Sequence, residues 1–177
     1  VKIDLPREDG SLVPYTLGEP RACSPPAAPA TSRVAYAAAH VVVDPFADPD
    51  TIDWATTLAF RRHLWSYGLG VAEAMDTAQR GMGLDWAAAR ELIARSGAEA
   101  RACGERIVCG AGTDQLPPGP APLDWFVAAY EEQLAVIEEA GGTPVLMASR
   151  GLAASAAGPD DYAKVYGRLL AQVARPA

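Results

Sequence analysis

The sequence predicts an α/β fold: a (β/α)8 TIM barrel truncated to about its first four βα units and preceded by a short N-terminal hairpin arm. Two patterns carry this. From residue 33 onward, short apolar runs alternate with segments of helical spacing. The apolar runs begin at residues 34, 69, 106 and 143, so the unit repeats after 35, 37 and 37 residues. Steady strand–helix alternation implies parallel strands joined by right-handed crossovers. Strands apolar on both faces fit a sheet covered by helices. A complete barrel takes about 250 residues, so four units and a stub make roughly half of one. A doubly wound open sheet is the competing architecture.

Each element has its own local reason. Asp9-Gly10 is a turn signal between Val1-Lys2-Ile3 and Leu12-Val13-Pro14-Tyr15, which predicts a hairpin. Residues 20–32 are rich in proline and alanine and read as a linker, so residues 1–32 form an arm and residues 33–177 the half-barrel. Residues 34–43 form the first strand, stopped by Asp44-Pro45. A helix over 53–67 follows, with Trp54, Leu58, Arg61, Leu64 and Trp65 at helical spacing, Asp53 or Thr51 as N-cap and Gly68 past its end. Residues 69–75 are the second strand, and Asp85 can cap an alanine-rich helix over 86–103. Residues 106–111 are the third strand. The helix over 125–140 is capped by Asp124 and ended by Gly141-Gly142. Residues 143–148 are the fourth strand, residues 160–173 the fourth helix, and Arg175-Pro176-Ala177 the start of a fifth strand.

Composition narrows the function. Half of the 177 residues are hydrophobic and the net charge is -7, which predicts a packed core and argues against a nucleic-acid partner. Cys23, Cys103 and Cys109 are odd in number and none are spaced as CxxC, so neither a disulfide framework nor a zinc site is expected. The N-terminal residues lack the apolar run of a signal peptide and no stretch is long enough to span a bilayer, so the expected location is cytoplasmic, with no membrane partner.

In a barrel, function sits where strands run out into the following helix. Those positions hold Asp44, then Asp76-Thr77-Ala78-Gln79-Arg80, then Thr113-Asp114-Gln115, then Ser149-Arg150. Asp85 already serves the next helix as a cap, which leaves Asp76, Thr77 and Arg80 available to line a pocket. Glu73 stands inside an apolar strand, where alternation places it on one face with Met75 and Thr77. A buried carboxylate must be paired or neutralised. Glu73 is therefore a general base, a metal ligand, a partner for a substrate-binding arginine, or the acid of a structural ion pair; Asp44 is a second candidate buried acid. His40, on a strand, and His63, on a helix, form no zinc motif. Gly110 and Gly112 are followed by prolines rather than a helix, and Gly68-Leu69-Gly70 lacks the context of a dinucleotide site.

From His40 to Val173 the chain resembles the dihydrodipicolinate synthase and N-acetylneuraminate lyase superfamily of class I aldolases, nearest to an uncharacterised branch. Val43-Asp44-Pro45-Phe46 falls where that superfamily ends its first strand in Val-Thr-Pro-Phe, and Ile52-Asp53-Trp54 matches the opening of its first helix. Asp76-Thr77-Ala78-Gln79-Arg80 occupies the place of Gly-Thr-Thr-Gly-Glu. Residues 107–112 resemble its third strand and Val145-Leu146-Met147 its fourth. Thr77 keeps the first threonine, which helps hold the substrate carboxylate; Ala78 replaces the second. Ser149-Arg150-Gly151-Leu152 stands where the family has Pro-Pro-Tyr-Tyr, without its proton-transferring tyrosine.

The resemblance implies a lyase or aldolase acting on a 2-keto acid or related carbonyl compound by Schiff-base chemistry, without a cofactor, as a homo-oligomer when full length. Its lysine belongs to a sixth strand outside these residues; Lys2 and Lys164 are not credible substitutes. Asp76, Thr77 and Arg80 would position the substrate, and Ser149 and Arg150 would bind an acidic group. One alternative is a divalent metal held by Glu73, Asp76 and either His40 or Asp44. Another is a non-catalytic truncated half-barrel, whose open edges predict self-association of the isolated chain.

Overall fold

A computed structural model describes residues 2–19, 32–44, 46, 51–75, 80 and 83–173. The chain divides into two compact units, Val1–Arg33 and Val34–Ala177. The first holds an antiparallel hairpin of β1 (Lys2–Pro6) and β2 (Leu12–Thr16). Its turn is closed by the Asp9 carboxylate, which accepts from the Ser11 amide at 2.9 Å and hydroxyl at 2.6 Å. Ile3 lies opposite Tyr15 and Leu5 opposite Val13, so alternation gathers these apolar side chains on one face. The linker expected over 20–32 falls almost wholly outside the described residues, as do Cys23 and the fifth-strand stub.

The second unit is mixed α/β. Its strands are β3 (Tyr36–Ala38), β4 (Gly70–Glu73), β5 (Ile107–Ala111) and β6 (Thr143–Leu146). They pair in parallel in sequential order, β3-β4-β5-β6. Helices α1 (Trp54–Ser66), α2 (Trp86–Cys103) and α3 (Leu123–Glu139) follow the first three strands. Short α4 (Arg150–Ser155) and α5 (Pro159–Leu170) come after β6. α1 packs on α2 and α2 on α3, so these helices form one layer against the sheet. Val71, Ile107, Cys109 and Ala111 meet Leu92, Ile93, Tyr130, Leu134 and Ile137 in the buried core. Among the described residues no helix is long and apolar enough to cross a membrane.

Local chemistry sets the helix ends. The Asp53 and Asp85 side chains accept from the amides of Thr56 and Ala88, at 3.0 and 2.8 Å, as N-caps should. The third helix departs from expectation. It starts at Leu123, so Asp124 lies inside the first turn, where its charge favours the helix dipole without capping an amide.

The first strand is much shorter than its apolar run. After Ala38 the backbone keeps one bond to β4, from the Ala39 amide to the Ala72 carbonyl at 3.4 Å, and side chains of α1 take backbone groups of residues 39, 40 and 42. The buried Thr57 hydroxyl accepts from the Val42 amide at 3.0 Å and donates to its carbonyl at 3.3 Å. Arg61 donates to the carbonyls of Ala39 and His40 at 3.2 and 2.6 Å. Val43 then forms an antiparallel bridge with Ile52. Asp44, expected to be a buried strand-end acid, is instead exposed and accepts from the Phe46 amide at 2.9 Å in a local turn.

Arg61 and Glu73, both 0% exposed, form a two-pronged ion pair at 2.9 and 2.8 Å. Arg61 also donates to the Thr57 carbonyl at 3.0 Å, so all five of its N–H groups are used. Glu73 additionally accepts from the Ala74 amide at 3.1 Å. Of the roles open to Glu73 from sequence, this is the structural ion pair. Alternation fails one residue later. Ala74 has φ 51°, in the left-handed region that disfavours a side chain by about 1–2 kcal/mol. The reversal turns Met75 away from the face Glu73 occupies.

Breaking a buried pair leaves an uncompensated charge and costs about 3–5 kcal/mol. Glu73→Leu should therefore destabilise the protein by roughly that amount in urea unfolding. Arg61→Met should cost at least as much, since it also removes the donor to the Ala39 and His40 carbonyls.

Candidate functional site

The carboxyl ends of β4, β5 and β6 open into a cavity of about 620 Å³. Met75 follows β4, residues 112–119 follow β5, and residues 147–151 follow β6; Phe126 comes from α3. Gly110 lies beneath it because nothing larger fits: an added Cβ would meet Met147 Sδ at 2.7 Å and Met75 Cβ at 2.9 Å. Gly151 lets α4 press on α3, since a Cβ there would lie 2.6 Å from the Phe126 ring. That contact sets the position of Ser149 and Arg150.

Arg80 builds one wall. Its guanidinium donates to both Asp114 carboxylate oxygens at 3.1 and 2.9 Å. It also donates to the carbonyls of Ala74 and Gly110 at 2.8 and 2.5 Å, and to Gln133 Oε1. All five N–H groups are taken, and the side chain stacks 5.4 Å above the Trp86 ring. Sequence reasoning assigned Arg80 to substrate binding; the geometry makes it a scaffold that ties two strand ends to α3.

Gln133 spreads the network. Its Oε1 also accepts from the Gly112 amide at 2.6 Å, while its amide nitrogen donates to Asp114 at 3.0 Å and Gln115 at 2.6 Å. Burial raises the Asp114 carboxyl, but hydrogen bonds from Arg80 and Gln133 and the charge of Arg80 outweigh it, holding the group below its ordinary range. Tyr130 donates to the Met147 carbonyl at 2.5 Å, and burial pushes its phenol well above the usual value. Cys109, buried beside Glu73, likewise has its thiol pushed up, first by burial and then by that charge.

A second polar group sits at the strand end after β6. The Thr113 and buried Ser149 hydroxyls lie 2.6 Å apart, and Ser149 caps α4 by accepting from the Leu152 amide at 3.0 Å. Two hydroxyls bring two protons and only one is used between them. Whichever donates, the other keeps a proton for a ligand oxygen. Arg150 is exposed at the cavity and makes no hydrogen bond or ion pair with the described residues.

The structure thus brings together Arg80, Ser149 and Arg150. Asp76 and Thr77 lie outside the described residues, Glu73 is engaged by Arg61, and Asp44 sits in its own exposed turn. His40 is also exposed, and no three His, Cys, Asp or Glu side chains gather to hold a metal among the described residues. Sequence reasoning missed Gln133 and the Thr113–Ser149 pair. Gln133 had a signal: a polar residue on the apolar face of α3, between Tyr130 and Leu134.

The Asp114 carboxyl has a lower pKa folded than unfolded, where about 3.9 is ordinary. The unfolded chain therefore binds more protons in this window, so stability present above about pH 4 is lost as pH falls through the folded value. Asp114→Asn should lower stability at neutral pH and flatten the acid-side loss of Tm below about pH 4, followed by thermal unfolding between pH 6 and 3.

No curated protein matches the chain. Residues 3–177 match a family described as a protein of unknown function, DUF993. With nearly its whole length matched, the chain belongs to the DUF993 family.

Proposed function

We propose that this chain is the first half of a (β/α)8 barrel of the dihydrodipicolinate synthase and N-acetylneuraminate lyase type. The complete protein would be an aldolase-like lyase acting on a 2-keto acid or related carbonyl compound. The observation that carries the reading is the cavity's position at the carboxyl ends of parallel strands in unbroken sequential order. Sequential order with crossovers of one hand puts the helices on one side and curls the sheet toward closure, whereas a doubly wound sheet reverses its strand order. Ligands of α/β barrels bind at this end.

The chain's own groups fit the non-covalent part of that chemistry. Arg150 offers an unengaged fork for a carboxylate, and the Thr113–Ser149 pair offers a hydroxyl proton to a substrate oxygen. The amine nucleophile would come from elsewhere: Lys164 is exposed on α5, 3.3 Å from Asp161, and Lys2 belongs to the hairpin unit.

Treating the full-length protein with pyruvate and borohydride should fix the substrate to one lysine, seen as a single mass increase that vanishes when borohydride is omitted. A full-length protein that turns over substrate without any trapped adduct would remove the Schiff-base mechanism, and loss of that turnover with chelator would point to a metal instead.

A further inference from the structure

The cavity carries more information than a reaction class, because its described lining combines several apolar side chains with a small set of polar ones. We infer that it takes an acid with an apolar body, a carboxylate carried on an aliphatic or aromatic chain, rather than a polyhydroxylated acid. This rests on the reading of the cavity as the substrate site.

Charge selects the head. Among the described residues, Arg80 and Arg150 line the cavity. Arg80 is neutralised by Asp114 and has no N–H left to give. Arg150 is the uncompensated charge among the described lining residues, and it follows Ser149 directly in the chain. The spare hydroxyl proton of the Thr113–Ser149 pair and the Arg150 guanidinium thus border the same cavity. A carboxylate satisfies both, accepting charge-assisted hydrogen bonds from the fork and a further one from the hydroxyl. A neutral carbonyl can accept from either donor but gains no charge attraction from the guanidinium.

The walls select the body. Met75, Met147, Leu116, Pro117 and Phe126 present thioether, aliphatic and aromatic surface to the cavity. Hydroxyls of a sugar-like chain would lose water there without gaining partners, which opposes binding. An alkyl or phenyl group gains from the same surface, and methionine adapts to its shape. At about 620 Å³ the space exceeds what a three-carbon keto acid fills, so the remainder is available to such a body.

Calorimetric titration of the full-length protein with 3-phenylpropanoate, its neutral amide 3-phenylpropanamide, and D-gluconate tests this. None carries a ketone or aldehyde, so lysine chemistry does not enter. The phenyl acid should bind about tenfold or more tightly than either the amide or gluconate. Arg150→Gln should weaken the acid by about tenfold and the amide much less. Met147→Ser should weaken acid and amide together, keeping their ratio. Gluconate binding as well as the phenyl acid, acid and amide binding alike, no binding by any of the three, or an Arg150→Gln protein with unchanged acid affinity would each overturn the inference. Acid binding without a pyruvate adduct would leave it standing while removing the Schiff base; an adduct without acid binding would do the reverse.

Discussion

Carbonyl groups at and beyond the carboxyl ends of parallel strands have no neighbouring strand to serve them, and in this protein buried arginine meets that constraint. Arg61 serves Ala39 and His40 beyond β3, and Arg80 serves Ala74 and Gly110 at the ends of β4 and β5. Each guanidinium spends its five donors on protein acceptors and takes one carboxylate, Glu73 or Asp114, to balance its charge. A lysine could supply the charge but not the planar fork that spans two strand ends and a helix. Thirteen of the fifteen basic side chains are arginine, a bias that fits this use.

Only one of the two clusters borders the cavity, and the difference divides labour. Arg61 and Glu73 are sealed between sheet and helix, where they fix the path of residues 39–43 and the seating of α1. Arg80 and Asp114 border the cavity, and their mutual neutralisation leaves Arg150 as the unpaired charge among its described lining residues. An arginine that holds a wall and one that faces a ligand are thus told apart by counting donors already used.

Much of the architecture was legible because periodicity and caps report local physics. The observed strands at 70, 107 and 143 begin within a residue of the apolar runs that announced them, and Asp53 and Asp85 cap as their positions demand. The first strand was overestimated because an apolar run does not reveal that Thr57 and Arg61 occupy its hydrogen-bonding groups. Short α4 was invisible: six residues are too few for a period, and only Ser149 as a cap could have hinted at it. At the site, residue type and strand-end position found Arg80, Ser149 and Arg150, but pairing decides role, and pairing is a three-dimensional fact. Arg61 and Gln133 were readable in hindsight as polar residues interrupting apolar helical stripes.

The left-handed turn at Ala74 has a bearing on how such a protein can diversify. Because it reverses side-chain parity, positions 71 and 73 answer to the interior while position 75 answers to the cavity. Lineages could exchange Met75 for other side chains, and so retune what the cavity accepts, without disturbing the ion pair two residues earlier. A locally disfavoured backbone conformation of this kind uncouples inherited stability from inherited selectivity along a single strand.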